Sequence, residues 1–310
     1  MSMLSKAVDD YLSLRRKLGY KLYEPGLLLK QFVAFLEGEG ASHITTELAL
    51  RWATRPTGVQ PAHWAKRLRA VRLFARHHSP SDPRTEVPPL GLLSGRPRRR
   101  QPYIYSSQEI KQLINATKNL PSRSGLRPST YSTLLGLLSV TGMRISEALG
   151  LDRVDVDLQE GVLTIRRTKF GKTRLVPVHE TTREAMEAYL GRRDRIFPTV
   201  TTSGFFLSDR GTRLGSSCVR RTFYYLSRQV GLRGVYDHRG PTLHDIRHAF
   251  AVETVLRWYR AGLDVDPLMP VLSTYLGHGH TRDTYWYISS VPELLRLAAS
   301  RLDRPTGDLS

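Results

Sequence analysis

The sequence predicts a mainly α-helical protein with a small antiparallel sheet, an α+β chain in two domains. Three observations carry this. From Ser5 to about Ser79 apolar residues recur three or four apart, the period of helices with one buried face. Between Pro80 and Tyr105 that period stops and prolines recur. Beyond Ser106 the helical period returns, interrupted by one alternating stretch, Asp155 to His179, with Gly161 and Gly171 at its turns.

In chain order, Ala7 to Tyr20, Pro25 to Gly40, Thr45 to Arg55 and Pro61 to His78 make four short helices, a small bundle over residues 1–79. The fourth carries Lys66, Arg67, Arg69, Arg72 and Arg76 in quick succession, and that density of charge is expected to face phosphates. Residues 80–105 form a linker that includes the run Arg96 to Arg100, whose Arg98, Arg99 and Arg100 extend the basic surface. The second domain, 106–310, begins with Ser106 capping a helix. A buried helix from about Thr130 to Leu138 follows, then a turn at Gly142 and the three-stranded sheet. Further helices are expected at Glu180 to Tyr189, Ser216 to Val230, Leu243 to Arg260 and Pro292 to Leu302. Leu272 to Gly277 ends a buried helix, because glycine accepts the left-handed conformation that closes a helix. Thr281 then caps one more short helix, with Asp283 in its first turn.

Charge narrows the function. A net charge of +19 at a pI near 10.4 points to a polyanionic partner, and nucleic acid is the natural one. Both domains share the surplus: Lys and Arg outnumber Asp and Glu by 18 to 8 up to Ile104 and by 29 to 20 beyond it. A lone cysteine, Cys218, excludes an internal disulfide and a thiolate cluster and fits a reducing cytoplasm. No signal peptide and no bilayer-length apolar run is visible, so no membrane association is expected.

Several pairs could carry chemistry. Arg144 and Glu147 stand three apart at a helix start, where the carboxylate can orient the guanidinium; on its own this spacing is more often a surface ion pair. His244 and Arg247 share a face of a second helix. His278 sits at the turn after Gly277, followed by Tyr285 and Tyr287. Residues two apart on a helix point in nearly opposite directions, so one of these tyrosines can share a pocket with His278 while the other packs or faces solvent. Three histidines, His244, His278 and His280, could be imagined around a metal. Neither Asp245 nor Asp283 supplies the carboxylate spacing that a hydrolytic metal site wants.

Taken in order, TGMRISEALGL, a lysine in a strand turn, LHDIRHAFA and LGHGHTRDTYWY resemble the tyrosine recombinases, the phage integrase family, over the whole chain. The resemblance implies a helical core-binding domain followed by the family's catalytic domain. It implies Arg144, Lys169, His244, Arg247, His278 and Tyr287 as catalytic residues, with Glu147 in support. It selects Tyr287, nine residues beyond His278, over Tyr285 and Tyr275, and it places the lysine at Lys169, with Lys172 the alternative. The segment between Arg247 and His278 is longer than in the simplest members and looks like that of transposon-borne recombinases.

The implied chemistry suits these residue types. Two forked guanidiniums, Arg144 and Arg247, offset the charge spreading over a phosphodiester in its transition state, so neither metal nor cofactor is expected. Tyr287 attacks phosphorus and conserves the bond as a 3′-phosphotyrosine. Lys169 protonates the leaving oxygen, His244 serves as acid or base and His278 hydrogen-bonds the phosphate. The expected partner is double-stranded DNA, held in a homo-oligomer that reaches a tetramer at synapsis, with other recombinases as further partners. A type IB topoisomerase, or a regulator that binds DNA without cutting, are the competing readings. The apolar spacing of Leu294, Leu295, Ala298 and Leu302 expects a final helix, docked on a neighbouring protomer or packed on its own domain.

Overall fold

The computed structural model describes residues 2–95, 101–166, 173–237, 240–278 and 280–288, with Glu293, Leu294 and Arg296; the side chains of Arg282, Tyr287 and Ile288 are outside that description. The chain divides into two compact units, Met1–Arg100 and Gln101–Ser310.

The first unit is a four-helix cluster: α1 (Met3–Lys17), α2 (Tyr23–Gly38), α3 (Thr46–Thr54) and α4 (Pro61–His78). Side-chain oxygens stop two of them from fraying. Ser2 accepts from the amide of Ser5 at 3.1 Å and Thr45 from that of Leu48 at 3.2 Å. Pro61 opens α4, where a missing N–H costs nothing. The apolar stripes meet around Leu12, Phe32, Leu36, Trp52, Val71 and Phe74, each nearly inaccessible. Burying one such side chain contributes on the order of 1.5–3 kcal/mol.

The prolines from Pro80 onward do not make a loose tether over residues 80–95. The amide of Glu86 donates to the Ile44 carbonyl at 2.8 Å, its carboxylate accepts from the Thr46 amide at 2.7 Å, and Val87 and Leu93 lie against the unit's core. At the other end of the expected linker, Tyr105 is buried in the core of the second unit with Tyr103 and Ile104 beside it. Residues 96–100 lie outside the described ones.

In the second unit a capping box between Ser106 and Glu109 starts α5 (Ser107–Ala116), which packs against α6 (Arg127–Thr141). Next come α7 (Ile145–Gly150) and three antiparallel strands in spatial order β1 (Val156–Asp157), β2 (Val162–Ile165), β3 (Arg174–Pro177). Leu163 pairs with Val176 and Ile165 with Arg174, so the buried face of β2, Leu163 and Ile165, turns to the helices. Then follow α8 (Glu180–Ile196), α9 (Ser216–Gln229), α10 (Leu243–Arg260), α11 (Leu268–Leu276) and α12 (Arg282–Ile288). α8 outruns its expected end at Tyr189 because Arg193 is buried there, donating to the Gly204 carbonyl at 3.1 Å.

Buried side chains of α6, α8 and α9, with Phe205 and Phe206, form one core; the second half of α10, α11 and Leu294 form another. Leu294 is thus packed on its own unit, and Glu293 pairs with Arg260 at 2.9 Å; Leu295, Ala298 and Leu302 lie outside the described residues. α10 runs through both cores, so its first turns hold a fixed place against the end of α6. Among the described residues no helix is long and apolar enough to cross a membrane.

Candidate active site

The site is built where α6, α7, α10 and α11 end or begin. α6 stops at Gly142, left-handed at φ +58°, and the chain turns straight into α7 with Arg144 at its N-cap. There the Arg144 amide donates to Oε2 of Glu147 at 2.9 Å and its Nη1 donates to Oε1 at 2.8 Å. The same side chain reaches across the fold, Nη2 donating to the Gly277 carbonyl at 2.9 Å.

α10 begins with a capping box in which the Thr242 amide and hydroxyl donate to Asp245 at 2.7 and 2.8 Å. One turn on, Arg247 is 2% exposed. Its two terminal nitrogens donate to the carbonyls of Gly142, at 2.9 Å, and Leu276, at 2.7 Å. Arg144 and Arg247 therefore grip adjacent carbonyls at the end of α11, although 103 positions separate them in sequence.

α11 closes on Gly277, left-handed as expected at φ +67°, and the His278 amide donates back to the Ser273 carbonyl at 3.0 Å. This cap aims the imidazole, whose Nδ1 lies 2.7 Å from the Thr284 hydroxyl on α12. Burial pushes His278 down to about 4, and the charges of Arg247 and Arg144 push the same way. His244 is lowered by the same two arginines, after burial. His248, one turn beyond, meets the His244 ring edge to face at 4.7 Å and is held at about 4, chiefly by burial and then by His244. Burial and the field of two cations disfavour the charged form of both candidate histidines, and that field favours an incoming anion.

Sequence reasoning missed Arg174. Its guanidinium grips Glu147 with two parallel bonds, Nη1 to Oε1 at 3.0 Å and Nη2 to Oε2 at 2.7 Å, so one carboxylate holds two arginines. Burial alone would raise the Glu147 carboxyl, but the hydrogen bonds and charges of Arg174 and Arg144 outweigh it and hold it at about 2. Spacing gave no sign of this, since Arg174 lies 27 residues from Glu147. His248 and Thr284 were also missed, although they lie only four and six residues from the histidines they touch.

Of the tyrosines, Tyr275 is half-buried and stacked on Phe250 at 5.9 Å, while Tyr285 is 44% exposed. Tyr287 belongs to α12, and its side chain lies outside the described residues. So do Lys169 and Lys172, in the segment joining β2 to β3. His280 is exposed at the turn before α12. Among the described residues no group of three or more His, Cys, Asp or Glu could hold a metal ion.

On the first unit, Lys66, Arg69 and Arg76 share an exposed face of α4, with Lys66 paired to Glu24 at 2.6 Å. Arg67 corrects the expectation of a phosphate contact. It is buried, donates to the Trp52 carbonyl at 2.9 Å and lies 3.7 Å over the Trp52 ring, so its charge serves the helical core. Arg72 is half-buried and donates to the Pro88 carbonyl at 2.9 Å. Arg98, Arg99 and Arg100 lie outside the described residues.

Residues 104–293 match the Phage integrase family. The chain is 51% identical over 308 residues to y4rB of Sinorhizobium fredii (strain NBRC 101917 / NGR234), a protein named for an integrase/recombinase, and the match covers 98% of each. It is 29% identical over 230 residues to the tyrosine recombinase XerD of Caulobacter vibrioides (strain ATCC 19089 / CIP 103742 / CB 15), covering 74% of this chain and 71% of that one. In fold it resembles the Tn1549 transposon integrase solved with transposon right end DNA: TM-score 0.66 at 18% identity, over 98% of this chain and 100% of that chain.

Proposed function

Since the chain belongs to the phage integrase family and is a tyrosine site-specific recombinase, we propose that it cuts and rejoins DNA through a covalent bond between Tyr287 and a 3′-phosphate. The supporting observation is the convergence of Arg144, Arg247, His244 and His278 on the end of α11, with α12, the helix of Tyr287, starting a few residues later.

In this reading the two guanidiniums receive the scissile phosphate and offset the charge that builds on its equatorial oxygens. The Tyr287 oxygen forms a bond to phosphorus while the bond to the 5′-oxygen breaks. His244 takes the phenolic proton, His278 donates to a non-bridging oxygen, and Lys169 delivers a proton to the departing 5′-oxygen. Phosphodiester is exchanged for phosphodiester, so a 5′-hydroxyl from the same or another strand can reverse the step without ATP. Lys66, Arg69 and Arg76 supply backbone contacts from the first unit, sequence-independent and sensitive to salt. Four protomers on two duplexes perform the exchange, in the integration, excision or transposition of a mobile element.

The test is adduct formation on a nicked duplex that traps the cleaved state. Wild type and Tyr285→Phe are expected to form a covalent protein–DNA adduct on a denaturing gel, while Tyr287→Phe forms none and keeps duplex affinity within a few-fold. An adduct with Tyr287→Phe and none with Tyr285→Phe would shift the nucleophile by two residues. Relaxation of supercoils by dilute protein with no strand exchange would favour a topoisomerase.

A further inference from the structure

Arg174 has no place in the mechanism above, yet it is only 13% exposed in its side chain and both terminal nitrogens of its fork donate to Glu147. It also crowds Gly277. A Cβ at that glycine would stand 2.7 Å from the Arg174 Nη1, on top of the cost of a side chain at φ +67°. Four groups thus close a ring: Arg144 to Glu147, Glu147 to Arg174, Arg174 against Gly277, and the Gly277 carbonyl back to Arg144.

We propose that Arg174 is a positioning residue of strand cleavage: by sharing Glu147 with Arg144 and backing the Gly277 turn, it fixes the Arg144 guanidinium where the scissile phosphate binds. The proposal rests on the recombinase reading. Without the second arginine, Glu147 is free to take both arms of the Arg144 fork, which leaves fewer donors for the phosphate. A bidentate arginine suits the task better than lysine, because a fork fixes a plane while an ammonium fixes only a point.

The experiment compares two duplexes, one with an ordinary scissile phosphate and one with a methylphosphonate there, which carries no charge. Arg174→Gln is expected to slow single-turnover cleavage of the ordinary duplex by about 10²-fold, the scale of a misplaced catalytic group, with duplex affinity within a few-fold. On the neutral duplex the defect should shrink by about tenfold or more, and the defect of Arg144→Gln should shrink with it, because the charge that Arg144 must meet is gone. Arg174→Lys should recover part of the loss, and Arg174→Gln combined with Glu147→Gln should be little worse than either alone. Cleavage at the wild-type rate by Arg174→Gln, or a defect equal on both duplexes, would sink the proposal, the second outcome assigning Arg174 to stability alone. Should Arg174→Gln fail to fold by circular dichroism, the same comparison is read on Arg174→Lys. Failure of wild type itself to form a Tyr287-dependent adduct would instead defeat the recombinase reading.

Discussion

Arg247 donates to the carbonyl of Gly142 at 2.9 Å, joining the first turns of α10 to the glycine that caps α6 across 105 positions of sequence. The contact depends on how closely the two helices approach. A Cβ at Gly142 would lie 2.3 Å from the Phe250 ring, and the residue sits at φ +58°.

Gly142→Ala is therefore expected to destabilise the protein by about 2–5 kcal/mol, from the left-handed conformation (roughly 1–2) and from overpacking (roughly 1–3). Urea denaturation measures it. Phe250→Leu in the same chain should recover much of the overpacking cost, since the ring is what the new methyl meets. Equal losses in Gly142→Ala and in the double variant would show that backbone strain alone is responsible.

Stability should fall on mild acidification. His278 and His248 are held at about 4 against an ordinary 6.5, by burial first and then by Arg247 and Arg144 for His278 and by His244 for His248, and His244 is lowered in the same sense. The unfolded chain thus binds protons at a pH where the folded chain refuses them, which favours unfolding. The contribution of these histidines is whole above about pH 6.5 and is lost as the pH falls towards about 4. Glu147, held at about 2 against an ordinary 4.5, adds a further loss below 4.5. Urea midpoints between pH 7 and 4 should drop steadily for the free protein, and less when a short duplex is bound, because a phosphate beside His278 raises its proton affinity. A flat profile for the free protein would contradict the assignment.

The proposal that a lysine delivers the proton, and which one, is checked by changing the leaving atom. A deoxyribose alkoxide leaves poorly, so removing its proton donor should slow cleavage by about 10²- to 10⁴-fold. A thiolate, with a thiol pKa near 8.5, leaves without help. Lys169→Ala is expected to fail on ordinary DNA and to cut a duplex with sulfur at the bridging 5′ position nearly as fast as wild type. Lys172→Ala should show a smaller defect that sulfur does not relieve. Rescue of Lys172→Ala alone would move the acid three residues along.

The parts of the fold set by local chemistry could be read from the chain. α10 runs over Leu243–Arg260 as its apolar period expects, and α11 ends at the glycine that can end it. What escaped was decided across the fold. The basic residues of α4 all look alike in sequence, and only the placement of Trp52 separates buried Arg67 from exposed Arg69. Tyr105 lies among prolines and reads as linker until the core that receives it is seen. The pair Arg144 and Glu147 was visible at spacing three, whereas Arg174, which completes the triad, comes from a strand whose place is fixed by its pairing with β2.

The grip of Arg247 on the Leu276 carbonyl bears on the connector 261–267. That segment is exposed except for Val265, and the carbonyls that accept from the two arginines, those of Gly142, Leu276 and Gly277, belong to other parts of the chain. The ends that matter are stapled to each other by a guanidinium, and apart from Val265, which packs in the core beside Met269 and Leu272, the connector only has to reach. A spacer of that kind can grow or shrink at small entropic cost, each doubling of a flexible loop adding roughly 0.6 kcal/mol. The distance along the chain between Arg247 and His278 is therefore a free variable of the architecture, while their distance in space is not.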